Sequence, residues 1–435
     1  MRPEAHIQAT IELMGLYEEN ATTPSDALLQ RYFKTRRYIG GKDKKHIAGH
    51  YYSIVRHWGI YEWVLKRRTN VNRARAAVLL YLMREGRFLE EIEDLFSGEM
   101  FSPAPLTFEE RQVVRQGAET LFEFAPKSLQ QGVTPWIHEK LVAQYGEQVD
   151  ALLDAMDSQA SFDFRVNPLK LTRSEGALKF MEQGLHIDTT PFSPHGLRLS
   201  GRMGRDDLEQ FGPGLFEVQD EASQLVALLV DAKPGQRVLD LCAGAGGKTL
   251  LMAATMNNAG NIVACDIYQG RLDKAAIRLR RAGVHNVTRR LVEGVKDRWL
   301  TRQSGTFDRV LVDVPCSGSG TWRRNPDMKW KLTPQGLEEL LVVQQDLLQR
   351  AAQTVKVGGR LVYATCSLFQ EENQLQIEKF LAQNPDFERV SVSDLWERVI
   401  QTSQPTGCEE FFCVTPDVHQ MDGFFAAILE RKGGK

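Results

Sequence analysis

From about residue 216 onward, short apolar, β-branched runs alternate with longer amphipathic stretches, and this alternation restricts the fold more than any other feature of the 435-residue chain. The runs 237–241, 261–266, 287–292, 308–313 and 359–364 read as strands, and 269–282 and 337–355 read as helices between them. Strands separated by helices call for a parallel sheet, because a parallel neighbour is reached only by a right-handed crossover. Two last strand-like runs, 409–414 and 423–429, flank a short polar turn and are expected to pair antiparallel at the sheet edge. The expected class is α/β, a Rossmann-like sheet with an antiparallel final strand.

The first part of the chain has another period. Ile7, Ile11, Leu13 and Met14 share one helical face, and Ile54, Trp58, Tyr61 and Leu65 share another, so residues 1–133 are expected as a helical domain with a loop at 102–107. Residues 134–215 combine a strand-like alternation at 162–166, a helical run at 174–184 and loops around Pro191, Pro194 and Pro213. They read as a small α+β domain preceding the third domain, 216–435.

Net charge is −2, so any nucleic-acid partner must be sought in local charge. Residues 31–75 hold 13 Lys and Arg, including Lys42, Lys44 and Lys45, against Asp43 and Glu62. This excess suits an RNA-binding face as well as a solvated helix face, while the interleaved Tyr32, Phe33, Tyr38, Tyr51, Tyr52, Trp58 and Trp63 are expected in the core. The six cysteines form no Cys-x-x-Cys pair and no His cluster has ligand spacing, so no metal is expected. With no leader-like start and no apolar run of about 18 residues, the expectation is a cytosolic protein with reduced thiols, monomeric by default.

After the first strand comes Cys242-Ala243-Gly244-Ala245-Gly246-Gly247-Lys248-Thr249, a glycine turn leading into a helix. A Walker A loop would need Gly where Cys242 stands, and the Gly-x-Gly-x-x-Gly spacing is also broken. The second strand ends at Asp266, where a carboxylate can accept both hydroxyls of a ribose. With Asp240 on the first strand, the site is too acidic for a pyrophosphate and suits the sulfonium and amino group of S-adenosylmethionine.

Two thiols follow strands four and five, in Asp313-Val314-Pro315-Cys316 and Ala364-Thr365-Cys366-Ser367. A single such cysteine reads as a small buried hydrophobe. Two at one sheet edge, beside Asp313 and the glycine turn, read as catalytic. The chemistry that fits is methylation of carbon 5 of a pyrimidine: a thiolate adds to carbon 6, carbon 5 becomes nucleophilic, and a base then removes its proton so that the thiol can leave. Asp313 would hydrogen-bond the ring nitrogen or amine and stabilise the adduct.

The glycine turn, the 313–320 segment, Arg323-Arg324-Asn325-Pro326-Asp327-x-Lys329-Trp330, and Tyr363–Ser367 followed by Glu371-Glu372-Asn373 resemble the RNA (cytosine-5) methyltransferases of the RsmB/Sun (Fmu) type. Gly41-Lys42-Asp43-Lys44 and the helix after it resemble a NusB-like RNA-binding domain. The resemblance implies Cys366 as nucleophile, Cys316 as the group that helps product leave, and Asp313 between cofactor and cytosine. It implies a cofactor segment at 242–248 with Asp266 on the ribose, and RNA contacts from Arg323, Arg324 and Lys329, the last alternatively ordering the Cys316 loop. The family's acidic position after strand three falls at Glu293, with Asp297 as the other candidate, and Gly244-Ala245 stands where the family has Ala-Pro. Small-subunit ribosomal RNA is the implied substrate. Transfer RNA and a non-catalytic, RNA-binding assembly factor are the alternatives. DNA cytosine methyltransferases, which attack with the Pro-Cys thiol, lack a Thr-Cys thiol on strand five.

Overall fold

The computed structural model describes all residues except 21, 69–70, 200–202, 204, 295–296 and 434–435. It comprises two compact units, one of Met1–Ser158 with Trp322–Thr333, the other of Gln159–Thr321 with Pro334–Lys435.

The first unit is helical. Its central helix, Arg73–Arg84, is capped by Asn72, whose side chain accepts from Arg75 N, and it buries every residue from Ala76 to Met83. A helix apolar on all sides must be surrounded, and Pro3–Glu19, Gly41–Arg56 and Trp58–Leu65 pack around it. The face expected through Ile54, Trp58, Tyr61 and Leu65 is buried, although the chain leaves helical geometry at His57 and starts a second helix. Tyr32, Tyr51 and Trp58 lie in this core, whereas Tyr38 is exposed. The 322–333 segment completes the unit: Trp330 Nε1 donates to Val55 O at 2.6 Å, and Asp327 Oδ2 accepts from Ser25 N at 3.0 Å. Gly59 faces the Trp330 ring so closely that a Cβ would stand 2.4 Å from it.

The second unit begins with a small antiparallel sheet of β1 (Phe162–Val166), β2 (Ile187–Thr189), β3 (Gly196–Leu199) and β4 (Phe216–Val218), ordered β2-β3-β1-β4. Pro191 and Pro194 lie in the loop of the β2–β3 hairpin and Pro213 in the loop before β4. Phe216, at the expected start of the third domain, pairs in the small sheet, where it packs on Phe164 and Phe180.

The larger sheet holds β5 (Arg237–Asp240), β6 (Asn261–Asp266), β7 (Val287–Leu291), β8 (Phe307–Asp313), β9 (Val355–Thr365), β10 (Phe387–Val390), β11 (Phe412–Val414) and β12 (Phe424–Arg431). The order is β10-β12-β9-β8-β5-β6-β7, with β11 on β12. The pairs from β9 to β7 are parallel, as expected. Val238, Leu311, Val362 and Ala364 face one core and Leu239, Val310, Val312 and Leu361 the other, so both faces are covered. The expected antiparallel pair of β11 and β12 forms, but β12 is not at the edge: it lies between β9 and β10. The unbroken apolar run Phe424–Leu429 needs cover on both faces, and the half-exposed β10, unrecognised in the sequence, takes the edge. With β6 on one side of β5 and β8 on the other, the chain reverses direction in the sheet at β5, the kind of switch point beyond which open α/β sheets bind ligands at their strands' carboxyl ends.

Candidate active site

β5 ends at Asp240, and the turn that follows reaches the helix Gly247–Thr255. Gly246, the residue before that helix, has φ +80°, and a Cβ there would stand 3.2 Å from the Ala275 methyl. Gly244, at φ +57°, donates its N–H to Asp266 Oδ2 at 2.9 Å, and a Cβ on it would meet nothing within 4 Å. The turn therefore presents open backbone at the ends of β5 and β6. Asp266 also accepts from Tyr268 N at 2.8 Å, which fixes the carboxylate.

Asp240 is buried and accepts from Thr249 Oγ1 at 2.6 Å through Oδ2, while its Oδ1 has no hydrogen-bond partner. Burial lifts this carboxyl to about 7. The Cys242 thiol is pushed well up by burial and by the charges of Asp313, Asp240 and Asp266, so it stays protonated. Lys248 Nζ donates to Asp313 Oδ2 at 2.6 Å. Burial would lower the lysine, yet Asp313 and the nearby Cys366 raise it above its ordinary value. Three carboxylates thus surround an open glycine turn, a setting for a cationic ligand with hydroxyls.

The thiols meet. β8 and β9 are parallel neighbours with Asp313 opposite Ala364, and Cys316 Sγ lies 3.5 Å from Cys366 Sγ. Contact with Cys366 and burial push the Cys316 thiol far above its ordinary value. The loop after Cys316 is fixed by Gly320, which donates to Cys366 O and accepts from Gly423 N, both at 2.9 Å. A Cβ on Gly320 would lie 2.0 Å from Gly423 O. Gly320→Ala is expected to cost about 1–3 kcal/mol through forced backbone displacement and to separate the thiols. Urea denaturation gives the first effect and methyl transfer the second.

Of the remaining site residues expected from sequence, Ala243 is buried, Ala245 O accepts from Arg278 Nη1 at 2.7 Å, and Gly247 O accepts from Arg165 Nη2 at 3.3 Å. Glu293 is exposed. Asp297 caps the helix Arg298–Arg302, accepting from Trp299 N at 2.8 Å and from Glu293 N at 3.0 Å. Sequence reading missed Arg278, which joins the glycine turn to Glu217 at 2.9 Å. Its signal was an arginine on the apolar face of an amphipathic helix, beside Ala275 and Leu279.

In the helical unit, Lys42 and Lys45 are exposed and Lys44 half-buried on the helix Gly41–Arg56. Arg324 is half-buried, but Arg323 and Lys329, expected to face RNA, are only 6% and 4% exposed. Lys329 Nζ lies against Gly132, and Asp157, Arg56, Arg84 and His57 surround it. Burial, opposed by Asp157 and aided by Arg56 and Arg84, lowers its ammonium to about 7. Below that pH folded and unfolded chains both hold the proton. Above it, up to the ordinary lysine value, the unfolded chain holds more, so this residue's contribution to stability rises with pH. Relative to Lys329→Met, the wild type is expected to gain about 2–3 kcal/mol between pH 7 and 9. Urea titrations of both proteins across that range check it.

The family model of the 16S rRNA methyltransferase RsmB/F matches residues 227–430, and that of the RsmF/B-like ferredoxin-like domain matches 134–204. The chain is 36% identical over 300 residues to a probable ribosomal RNA small subunit methyltransferase B of Synechocystis, covering 68% of this chain and 66% of that protein. It is 33% identical over 322 residues to ribosomal RNA small subunit methyltransferase B of Klebsiella pneumoniae, covering 74% and 71%. The crystal structure of PH0851 matches 99% of both chains with a TM-score of 0.78 at 27% identity. Among the described residues, no cluster of three or more His, Cys, Asp or Glu is placed to hold a metal, and no helix is long and apolar enough to cross a membrane.

Proposed function

Because this chain belongs to the RsmB/F family of rRNA methyltransferases, we propose that it forms 5-methylcytosine in small-subunit ribosomal RNA, using S-adenosylmethionine and a covalent adduct to carbon 6 of cytosine. The observation that carries this reading is the pair of thiols 3.5 Å apart at the ends of β8 and β9, beside the Asp313–Lys248 pair.

The glycine turn fits the cofactor. Open backbone at Gly244, the fixed carboxylate of Asp266 for ribose hydroxyls, and the unpartnered buried Oδ1 of Asp240 suit a nucleoside that carries cationic groups. The cofactor supplies a methyl group on a sulfonium. The chain's own residues make the cytosine receptive. Cys366 adds to carbon 6, with the Lys248 ammonium nearby. Asp313 accepts from Lys248 and faces the same edge, where it can hydrogen-bond the cytosine and stabilise the adduct. Once Cys366 is bonded to carbon, Cys316 loses the contact that most holds its proton, and as a thiolate it can remove the carbon-5 proton so that the carbon–sulfur bond breaks and Cys366 regains its electron pair. Lys42, Lys44 and Lys45 are read as part of the RNA-neutralising face.

The test is incubation with methyl-labelled S-adenosylmethionine and small subunits from a strain lacking the gene, then nucleoside mass spectrometry. Label in 5-methylcytosine of the small-subunit RNA is the expected result. Label in another nucleoside overturns the chemistry, and label in transfer RNA alone overturns the substrate. Cofactor and RNA binding without any methyl transfer would favour an assembly factor.

A further inference from the structure

Glu372 is fully buried, and among the described residues no Lys or Arg pairs with it. A buried carboxyl is tolerated only where hydrogen bonds replace water, and here four donors converge on it. Oε1 accepts from Ser317 N and from Gln344 Nε2, both at 2.8 Å. Oε2 accepts from the hydroxyls of Ser317 and Ser367. Ser317 is the residue after Cys316, and Ser367 is the residue after Cys366. One side chain therefore holds the two loops that carry the two thiols. The surroundings extend the same tie: Gln344 Nε2 also donates to Pro315 O at 3.1 Å, Tyr363 OH to Glu372 O at 2.6 Å, and Leu368 N to Ser319 Oγ at 2.7 Å. Cys316 stands on a loop outside the strand ladder, so the ladder alone does not set the 3.5 Å between the sulfurs.

We propose that Glu372 is a positioning residue that sets the spacing of Cys316 and Cys366, so that its loss impairs the step needing both thiols more than the step needing Cys366 alone. The division of labour between the thiols rests on the function proposed above, but the spacing does not. Glutamine can replace the glutamate in this role: its Oε1 keeps Ser317 N and Gln344, and its Nε2 donates to the two serine hydroxyls, which can turn to accept. Alanine removes the acceptor that all four donors share.

Diamide oxidises two neighbouring thiols to a disulfide, taking up two protons and two electrons itself, and so reports their spacing without RNA or cofactor. In the full-length protein, the Cys316–Cys366 disulfide, mapped by peptide mass spectrometry, is expected to form at comparable rates in wild type and Glu372→Gln, and at least about tenfold more slowly in Glu372→Ala. With RNA and S-adenosylmethionine, Glu372→Ala is expected to turn over more slowly while holding more RNA covalently, and Glu372→Gln to match wild type. Should Glu372→Ala fail to fold, the pair Ser317→Ala and Ser367→Ala removes the hydroxyl donors and is read in the same way. Folded alanine variants that crosslink at the wild-type rate overturn the clamp. So does a Glu372→Gln protein as slow as Glu372→Ala, which would make charge the requirement. Normal crosslinking differences with no RNA adduct in any variant would leave the clamp standing and overturn the covalent function instead.

Discussion

Cys366→Ala is expected to abolish methyl transfer, lowering the rate by roughly 10⁴-fold or more, as loss of a covalent nucleophile commonly does. Carbon 5 of cytosine becomes nucleophilic only after a nucleophile has added at carbon 6, so no slower route through the same intermediate exists. Cys316 is 3.5 Å away but is the weaker candidate for attack, because contact with Cys366 and burial hold its proton. Removing the neighbouring sulfur relieves part of that constraint, yet moves the attacking atom to the other loop. The fold should survive, since Cys366 is half-buried and Ala fills its stem without changing the Gly320 N–Cys366 O bond, which uses backbone. The measurement is tritium incorporated from S-adenosylmethionine into RNA, with calorimetric cofactor binding as the control for an intact site. Methyl transfer at the wild-type rate would remove Cys366 from the reaction.

Much of this site could be read before folding was considered, for a local reason. Each of Asp240, Asp266 and Asp313 ends a β-branched strand, and strands of a parallel sheet deliver their carboxyl ends to one edge. The order of strands beyond that edge could not be read. The apolar run of β12 shows that both its faces are covered, but says nothing about which strands cover it. Residues 322–333 are harder still. They follow the Cys316 loop directly, yet belong with the helical unit, through Trp330 on Val55 and Asp327 on Ser25. Their Arg and Lys content reads as a surface, and the burial of Arg323 and Lys329 depends on distant partners, Arg56 lying 267 residues before Arg323. Glu372 escaped notice as a distinct group for the same reason: it lies six residues after Cys366, but Ser317, its link to the other thiol, is 55 residues away.

Cys316→Ala is expected to have the opposite signature to Cys366→Ala: RNA that stays bound to the protein in a denaturing gel. Once Cys366 is bonded to carbon 6 and carbon 5 carries the new methyl group, the carbon–sulfur bond breaks only as the carbon-5 proton departs. The groups nearest the sulfur have other commitments. Asp313 is paired with Lys248 at 2.6 Å, and Glu372 accepts four hydrogen bonds deep under the loops. Cys316 is left as the base, and its removal should slow product release by roughly 10²–10⁴-fold, the range for loss of a general base, while addition and methylation proceed. The trapped species should contain the labelled methyl group and should vanish in the double variant Cys316→Ala, Cys366→Ala. Glu372→Ala should trap less than Cys316→Ala, because it displaces the base without deleting it. If Cys366→Ala, rather than Cys316→Ala, were the variant that held RNA covalently, the attacking thiol would be Cys316, and the raised affinity of that thiol for its proton would have to be overcome by the substrate itself.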